Sequence, residues 1–170
     1  MDLEPFRIIA DLAAKEYANE NDRTKVLDAK SGPLIGATGA AIAFLIGAIV
    51  KPPDVIVTPR GMPAVVYFSA ILAALVLLVV GQIFFLSSVR VRKKFGRFDL
   101  APYSTFDAAQ RPAWHLYSLS AGTYTDLVRN NTSQNDRKAL LQDIGLLFLL
   151  AGTLVLVAIP MTALVTILSA

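Results

Sequence analysis

The sequence predicts an all-α membrane protein: three transmembrane helices with a cytoplasmic helical portion, formed by the N-terminal helix and the loop before the last span. Three observations lead there. Long uncharged apolar runs fall at residues 33–50, 63–89 and 143–168, the last with Asp143 at its edge. Of the 170 residues, 55% are hydrophobic. That composition suits a small integral membrane protein and excludes a disordered or fully solvated chain. A basic cluster, Arg90-Val-Arg-Lys-Lys94-Phe-Gly-Arg97, abuts the second run. Such a cluster marks the cytoplasmic flank of a span.

The second run is the most decisive. No charge lies between Arg60 and Arg90. A bilayer core about 30 Å thick needs roughly 20 apolar residues at about 1.5 Å rise each, so this stretch spans with some tilt. It shows no polar face, unlike a helix at the surface of a soluble core. The first run, 33–50, is short and rich in small residues. Ser31-Gly-Pro33 precedes it, and Pro33 suits the first turn of a new helix. Gly32, Gly36 and Ala40, and Gly39, Ala43 and Gly47, stand four apart. That spacing lets helix backbones approach closely in lipid, either inside one protomer or between protomers. Residues 51–62 form a short periplasmic loop, stopped by Pro52-Pro53, with a brief extended piece at Val55-Ile-Val57. In the third run Pro160 is expected to kink the helix, with Thr162 or Thr166 near the freed backbone groups.

Residues 1–32 are charged and carry no basic stretch followed by an apolar one, so no signal peptide is expected. Leu3, Phe6, Ile9, Leu12, Ala13 and Glu16 or Tyr17 recur at helical spacing. They predict an amphipathic helix, interrupted near Asn19-Glu-Asn-Asp22, packing on another helix rather than on anionic lipid. Residues 90–142 form the basic connection. It is turn-rich from Leu100 to Pro112 and helical from Ala113, with an interruption expected at Gly122-Thr123. Arg90, Arg92, Lys93, Lys94, Arg97, Arg111, Arg129, Arg137 and Lys138 lie in this connection, against Lys51 and Arg60 in the short loop. The asymmetry places the N-terminus in the cytoplasm and the C-terminus in the periplasm.

Catalytic constellations are scarce. There is no cysteine, one histidine (His115), no metal-binding helix motif, no phosphate loop and no nucleophile elbow. The spans hold only Gln82, serines and threonines as polar groups. An enzyme, a metal site and a cofactor are therefore not expected. The net charge of +3 is too small to argue for nucleic acid, and its basic excess lies where anionic lipid explains it.

Two polar stretches carry more information. In Asn21 to Gly32, helical spacing puts Asn21, Lys25, Asp28 and Gly32 on one face. In Asn131 to Lys138 it groups Leu127, Asn131, Asn135 and Lys138. Both helices lead into spans that leave the cytoplasm, so they run parallel. Asp28 lies five residues before Pro33 and Lys138 five before Asp143, which sets the two at nearly equal height. A charge pair or amide-rich pocket near the membrane follows; a solvated helix surface or a purely structural ion pair is the other reading.

These residues also carry a resemblance. Asp28-Ala-Lys30-Ser-Gly32 opening a glycine-rich span resembles the first signature of the transmembrane effectors of Pycsar (pyrimidine cyclase) antiphage systems, with Ser31 where alanine is expected. Asn135-x-x-Lys138 before the last span is similar to their later signature, and the order of elements is similar too. The resemblance implies a bacterial inner-membrane protein that a cyclic pyrimidine nucleotide, cyclic CMP or cyclic UMP, activates. A cognate pyrimidine cyclase makes that signal on infection, and failing membrane integrity kills the cell. Under that reading Lys25, Asn131, Asn135 and Lys138 are ligand-binding candidates, with Arg129 and Arg137 as substitutes and Trp114 or Tyr117 as stacking groups. Asp28 and Lys138 become a switch pair, and Gly36, Gly39 and Gly47 pack spans in a homo-oligomer. A regulatory or assembly subunit of a membrane complex is the alternative, docking through the first helix.

The topology has a direct test. A reporter fused after Arg97 is expected to read cytoplasmic and one after Ala170 periplasmic; a cytoplasmic C-terminal reading overturns the three-span arrangement.

Overall fold

The computed structural model describes residues 2–50, 64–91, 96–99, 101–105 and 110–168, with the backbone alone at 48, 64–67, 102 and 159–168. The described chain is all-helical. Helix α1 runs from Glu4 to Val50, α2 from Ala64 to Arg90 and α3 from Ala113 to Leu168. A 3-10 turn, Ala101–Tyr103, lies between α2 and α3. Each of the three helices is long and apolar enough to cross a membrane. The short loop with its expected extended piece, residues 92–95 of the basic cluster, and residues 100 and 106–109 of the turn-rich stretch lie outside the described residues.

The chain packs as two compact units. A polar unit holds Met1–Ala29 and Arg90–Ala139; an apolar unit holds Lys30–Val89 and Leu140–Ala170. Helices α1 and α3 contribute to both.

Neither α1 nor α3 breaks where interruptions were expected. α1 is one helix of 47 residues with Pro33 inside it, unbroken at Asn19–Asp22, and α3 is one helix of 56 residues through Gly122. A proline in a helix interior costs about 3 kcal/mol through its lost N–H bond and a ring clash. Ending a helix at a span's edge strands several more N–H and C=O groups where water is scarce, a larger penalty. Ser31 and Thr38, on either side of Pro33, are both fully packed, which holds the local backbone in register.

One pattern organises all three helices. Along α3 the packed positions Tyr117, Ala121, Tyr124, Val128, Asn131, Asn135, Lys138, Gln142, Gly145, Leu149 and Gly152 follow in alternating steps of four and three. α1 does the same through Ala10, Ala13, Tyr17, Glu20, Thr24, Leu27, Ser31, Leu34, Thr38, Ala41 and Leu45. α2 repeats it through Ile71, Ala74, Leu78, Gly81, Phe85 and Ser88. A repeat averaging about 3.5 residues keeps one seam facing a partner helix, as in coiled coils. The N-terminal apolar stripe is displaced accordingly. Phe6, Ala10, Ala13 and Tyr17 face inward, whereas Ile9 and Leu12 are more than half exposed.

The apolar unit is inverted relative to a soluble core. Its interior contains Ser31, Thr38, Ser88 and Gln142, while Phe44, Leu72, Leu147 and Leu154 face outward. Lipid solvates such a surface, so packing and interhelical hydrogen bonds, not the hydrophobic effect, must hold the helices together. Leu45, Ile71, Ala74 and Leu78 form the dry core. Close approach depends on glycines outside the sequence-selected set. A Cβ on Gly145 would lie 2.8 Å from the buried Phe85 ring, one on Gly152 3.0 Å from Leu78, and one on Gly81 3.1 Å from the Gly145 carbonyl oxygen. Among the described residues a Cβ on Gly36, Gly39 or Gly47 would meet nothing within 4 Å. Gly145→Ala is expected to destabilise the purified protein by about 1–3 kcal/mol through overpacking, with Gly36→Ala near neutral. Denaturation in detergent micelles checks the contrast, and equal effects would refute this assignment of the contacts.

Candidate functional site in the polar unit

The polar unit buries three side chains that a soluble core rarely contains. Asn131, Asn135 and Lys138 are fully inaccessible. All three stand on the α3 seam, one turn apart, so each faces the helix or strap packed against it and none faces solvent.

Lys138 donates through Nζ to Asp28 Oδ1 on α1. The Asp28 side chain keeps a quarter of its surface exposed while Lys138 keeps none. One turn away, the Asn135 amide is engaged at both ends. Its Nδ2 donates to the Glu20 carbonyl oxygen at 3.0 Å and to Glu20 Oε2 at 2.6 Å. Its Oδ1 accepts from the Thr24 hydroxyl at 3.0 Å. Arg23 reaches across to Asp136 at 2.8 Å on the exposed rim. Another turn along, Asn131 leaves α1 and binds the connection. Gly96 N–H donates to Asn131 Oδ1 at 3.0 Å, and Asn131 Nδ2 donates back to the Gly96 carbonyl at 3.3 Å.

Aromatic rings continue this strap. Phe98 stacks on Tyr124 at 4.3 Å between centroids and 11° between planes, and on Tyr103 at 5.3 Å. The Phe98 amide donates to the Tyr17 hydroxyl at 3.3 Å. The Tyr103 hydroxyl lies 2.8 Å from that of Thr123.

The structure thus brings together four of the sequence-selected residues, Asp28, Asn131, Asn135 and Lys138, and leaves Lys25 apart. Lys25 is largely exposed and pairs with Asp22 on its own helix at 2.7 Å. The α1 seam passes through Glu20, Thr24 and Leu27, with Asp28 beside it, and Lys25 stands about 100° past Thr24. Trp114 packs on Phe6 and on the His115 ring edge, and His115 Nε2 lies 3.1 Å from Arg111, all at the exposed start of α3. Among the described residues no cluster of acidic or histidine side chains has the makings of a metal site.

Sequence reasoning missed Glu20, Thr24, Gly96, Phe98 and Tyr124. The 4-3 spacing of polar residues along both long helices was the available signal for the first two. Gly96 is legible only in three dimensions, because its missing Cβ leaves room for Leu127 Cδ2, which would stand 2.6 Å away.

In the apolar unit a second polar node joins all three helices. Gln142 Nε2 donates to the Ser31 hydroxyl at 2.6 Å, Ser31 and Ser88 hydroxyls lie 3.5 Å apart, and Ser88 donates to the Phe85 carbonyl at 2.7 Å.

Searches of protein families, of curated proteins and of solved structures return no match to this chain.

The asymmetric burial of the charge pair sets the expected mutational response. Asp28→Asn leaves the Lys138 ammonium buried against a neutral group, which costs about 1–3 kcal/mol or more. Lys138→Met removes the buried charge and leaves a partly hydrated carboxylate, a smaller loss. Thermal unfolding of both variants checks the order, and a larger loss for Lys138→Met would overturn it.

Proposed function

We propose that the protein is a membrane effector of a bacterial antiphage system, activated by a cyclic pyrimidine nucleotide and acting by impairing inner-membrane integrity, so that infected cells die before releasing phage. One observation carries this reading. The two segments that resemble effector signatures, Asp28–Gly32 and Asn135–Lys138, are more than a hundred residues apart in sequence, yet Asp28 forms an ion pair with the fully buried ammonium of Lys138. A pair of that kind costs desolvation energy and is retained where it sets register or a switch.

In this reading the cytoplasmic polar unit receives the signal and the inner-membrane helices carry the response. The Asp28–Lys138 pair and the Asn135 bonds to Glu20 and Thr24 hold the resting arrangement. Ligand binding shifts the parallel helices α1 and α3, each of which continues without a break into a span. The uncovered Gly36, Gly39 and Gly47 stripe supports a homo-oligomer. The chain itself catalyses nothing; a cognate pyrimidine cyclase supplies cyclic CMP or cyclic UMP. A second reading, a regulatory or assembly subunit, draws on the exposed Ile8, Ile9 and Leu12 of α1, an apolar face suited to a protein partner.

Membrane potential in cells tests the proposal. Inducing a cyclic CMP or cyclic UMP cyclase is expected to depolarise cells carrying the wild-type chain. Asp28→Ala, which removes about 1–3 kcal/mol from the resting state, shifts the equilibrium roughly 5- to 150-fold and depolarises without signal. The exchange Asp28→Lys with Lys138→Asp restores part of the resting behaviour. Wild-type cells that keep their potential with either nucleotide exclude the effector reading and favour the assembly subunit.

A further inference from the structure

The strap at Gly96–Phe98 presents an unusual chemical pattern. One residue, Gly96, offers its N–H and its C=O side by side to a single side-chain amide, that of Asn131. One ring, Phe98, then lies nearly parallel on Tyr124. An amide-edge hydrogen-bond pair beside a face-stacked ring is how proteins hold an unpaired nucleobase. Asn131 has no exposed surface, so an alternative partner must replace both bonds or leave a buried amide unsatisfied.

We propose that Asn131 and Tyr124 form a binding site for a uracil ring, and that the Gly96–Phe98 strap occupies this site in the resting state as an internal competitor. The inference rests on the preceding reading, in which a cyclic pyrimidine nucleotide is the signal. Uracil carries a ring N–H next to a C=O, the same donor and acceptor pair that Gly96 presents. Its N–H donates to Asn131 Oδ1, and its carbonyl accepts from Asn131 Nδ2. Cytosine offers an acceptor nitrogen beside an amino donor, which pairs only after the Asn131 amide turns over. The site as built therefore selects uracil. The ring takes the place of Phe98 on Tyr124. Displacing the strap also frees Phe98 N–H from Tyr17 and so releases a tie between the connection and α1.

An internal competitor lowers apparent affinity by the fraction of molecules with the site open. Its removal must strengthen binding, which no purely structural strap does. The experiment is calorimetric titration of the full-length chain in detergent with 3′,5′-cyclic UMP and 3′,5′-cyclic CMP. Wild type is expected to favour cyclic UMP. Phe98→Ala should tighten cyclic UMP binding about tenfold, and Tyr124→Ala should weaken it by at least about tenfold. Asn131→Asp, which keeps size and acceptor but loses the donor, should weaken it while helix content by circular dichroism stays unchanged. Trypsin gives a second readout: cyclic UMP should speed cleavage after Arg97, because the strap lifts. Weaker binding by Phe98→Ala, or protection of Arg97, overturns the competitor. Cyclic UMP binding that none of the three variants alters puts the base elsewhere and leaves the effector reading standing. If neither nucleotide binds wild type, the effector reading falls and this inference with it.

Discussion

The ammonium group of Lys138 is the constraint on which the polar unit depends. It has no exposed surface, and a cation removed from water must be matched by an anion with good geometry. Asp28 supplies it, which fixes α1 against α3 within this unit in both height and rotation. A slip of one residue would swing the lysine about 100° off the seam. A buried polar residue in a coiled-coil seam sets register in the same way, at some expense of stability. Asn135 repeats the restraint one turn away, since its amide is satisfied only by Glu20 and Thr24 together.

The apolar unit meets the complementary problem. Where lipid replaces water, burying Leu or Phe between helices gains little, and contact area has to come from close approach. Gly81, Gly145 and Gly152 supply it between α2 and α3, and Phe85 and Leu78 fill the space those glycines leave. Stacked Phe84 and Phe148, centroids 5.8 Å apart, add to the same interface. Ser31, Ser88 and Gln142 provide the interhelical hydrogen bonds, while Thr38 and Thr153 return their hydroxyls to their own helices at Leu34 and Leu149. The two units therefore use one seam spacing with different chemistry: charge and amide pairing in one, glycine contact in the other.

Side chains hold the described part of the connection between α2 and α3. Asn131 captures the Gly96 peptide, Tyr124 and Tyr103 stack Phe98, and Thr123 meets Tyr103. These anchors are local, so the Gly96–Phe98 segment can separate from the helix pair without unravelling either helix.

By itself the sequence determined what depends on composition and on spacing along one helix. Uncharged runs longer than a bilayer is thick made three spans legible. Equal distances from Pro33 and Asp143 were enough to bring Asp28 to Lys138, because both lie on helices of uniform rise. The tertiary structure decided what depends on a partner across the seam. It carried α1 through Pro33, since a break beside lipid strands more backbone groups than one proline does. It chose Gly145 over Gly36 for helix contact, because only the former faces a buried ring. It turned Lys25 outward and brought Gly96 and Phe98 onto α3, since a non-helical segment has no periodicity from which its docking face can be read.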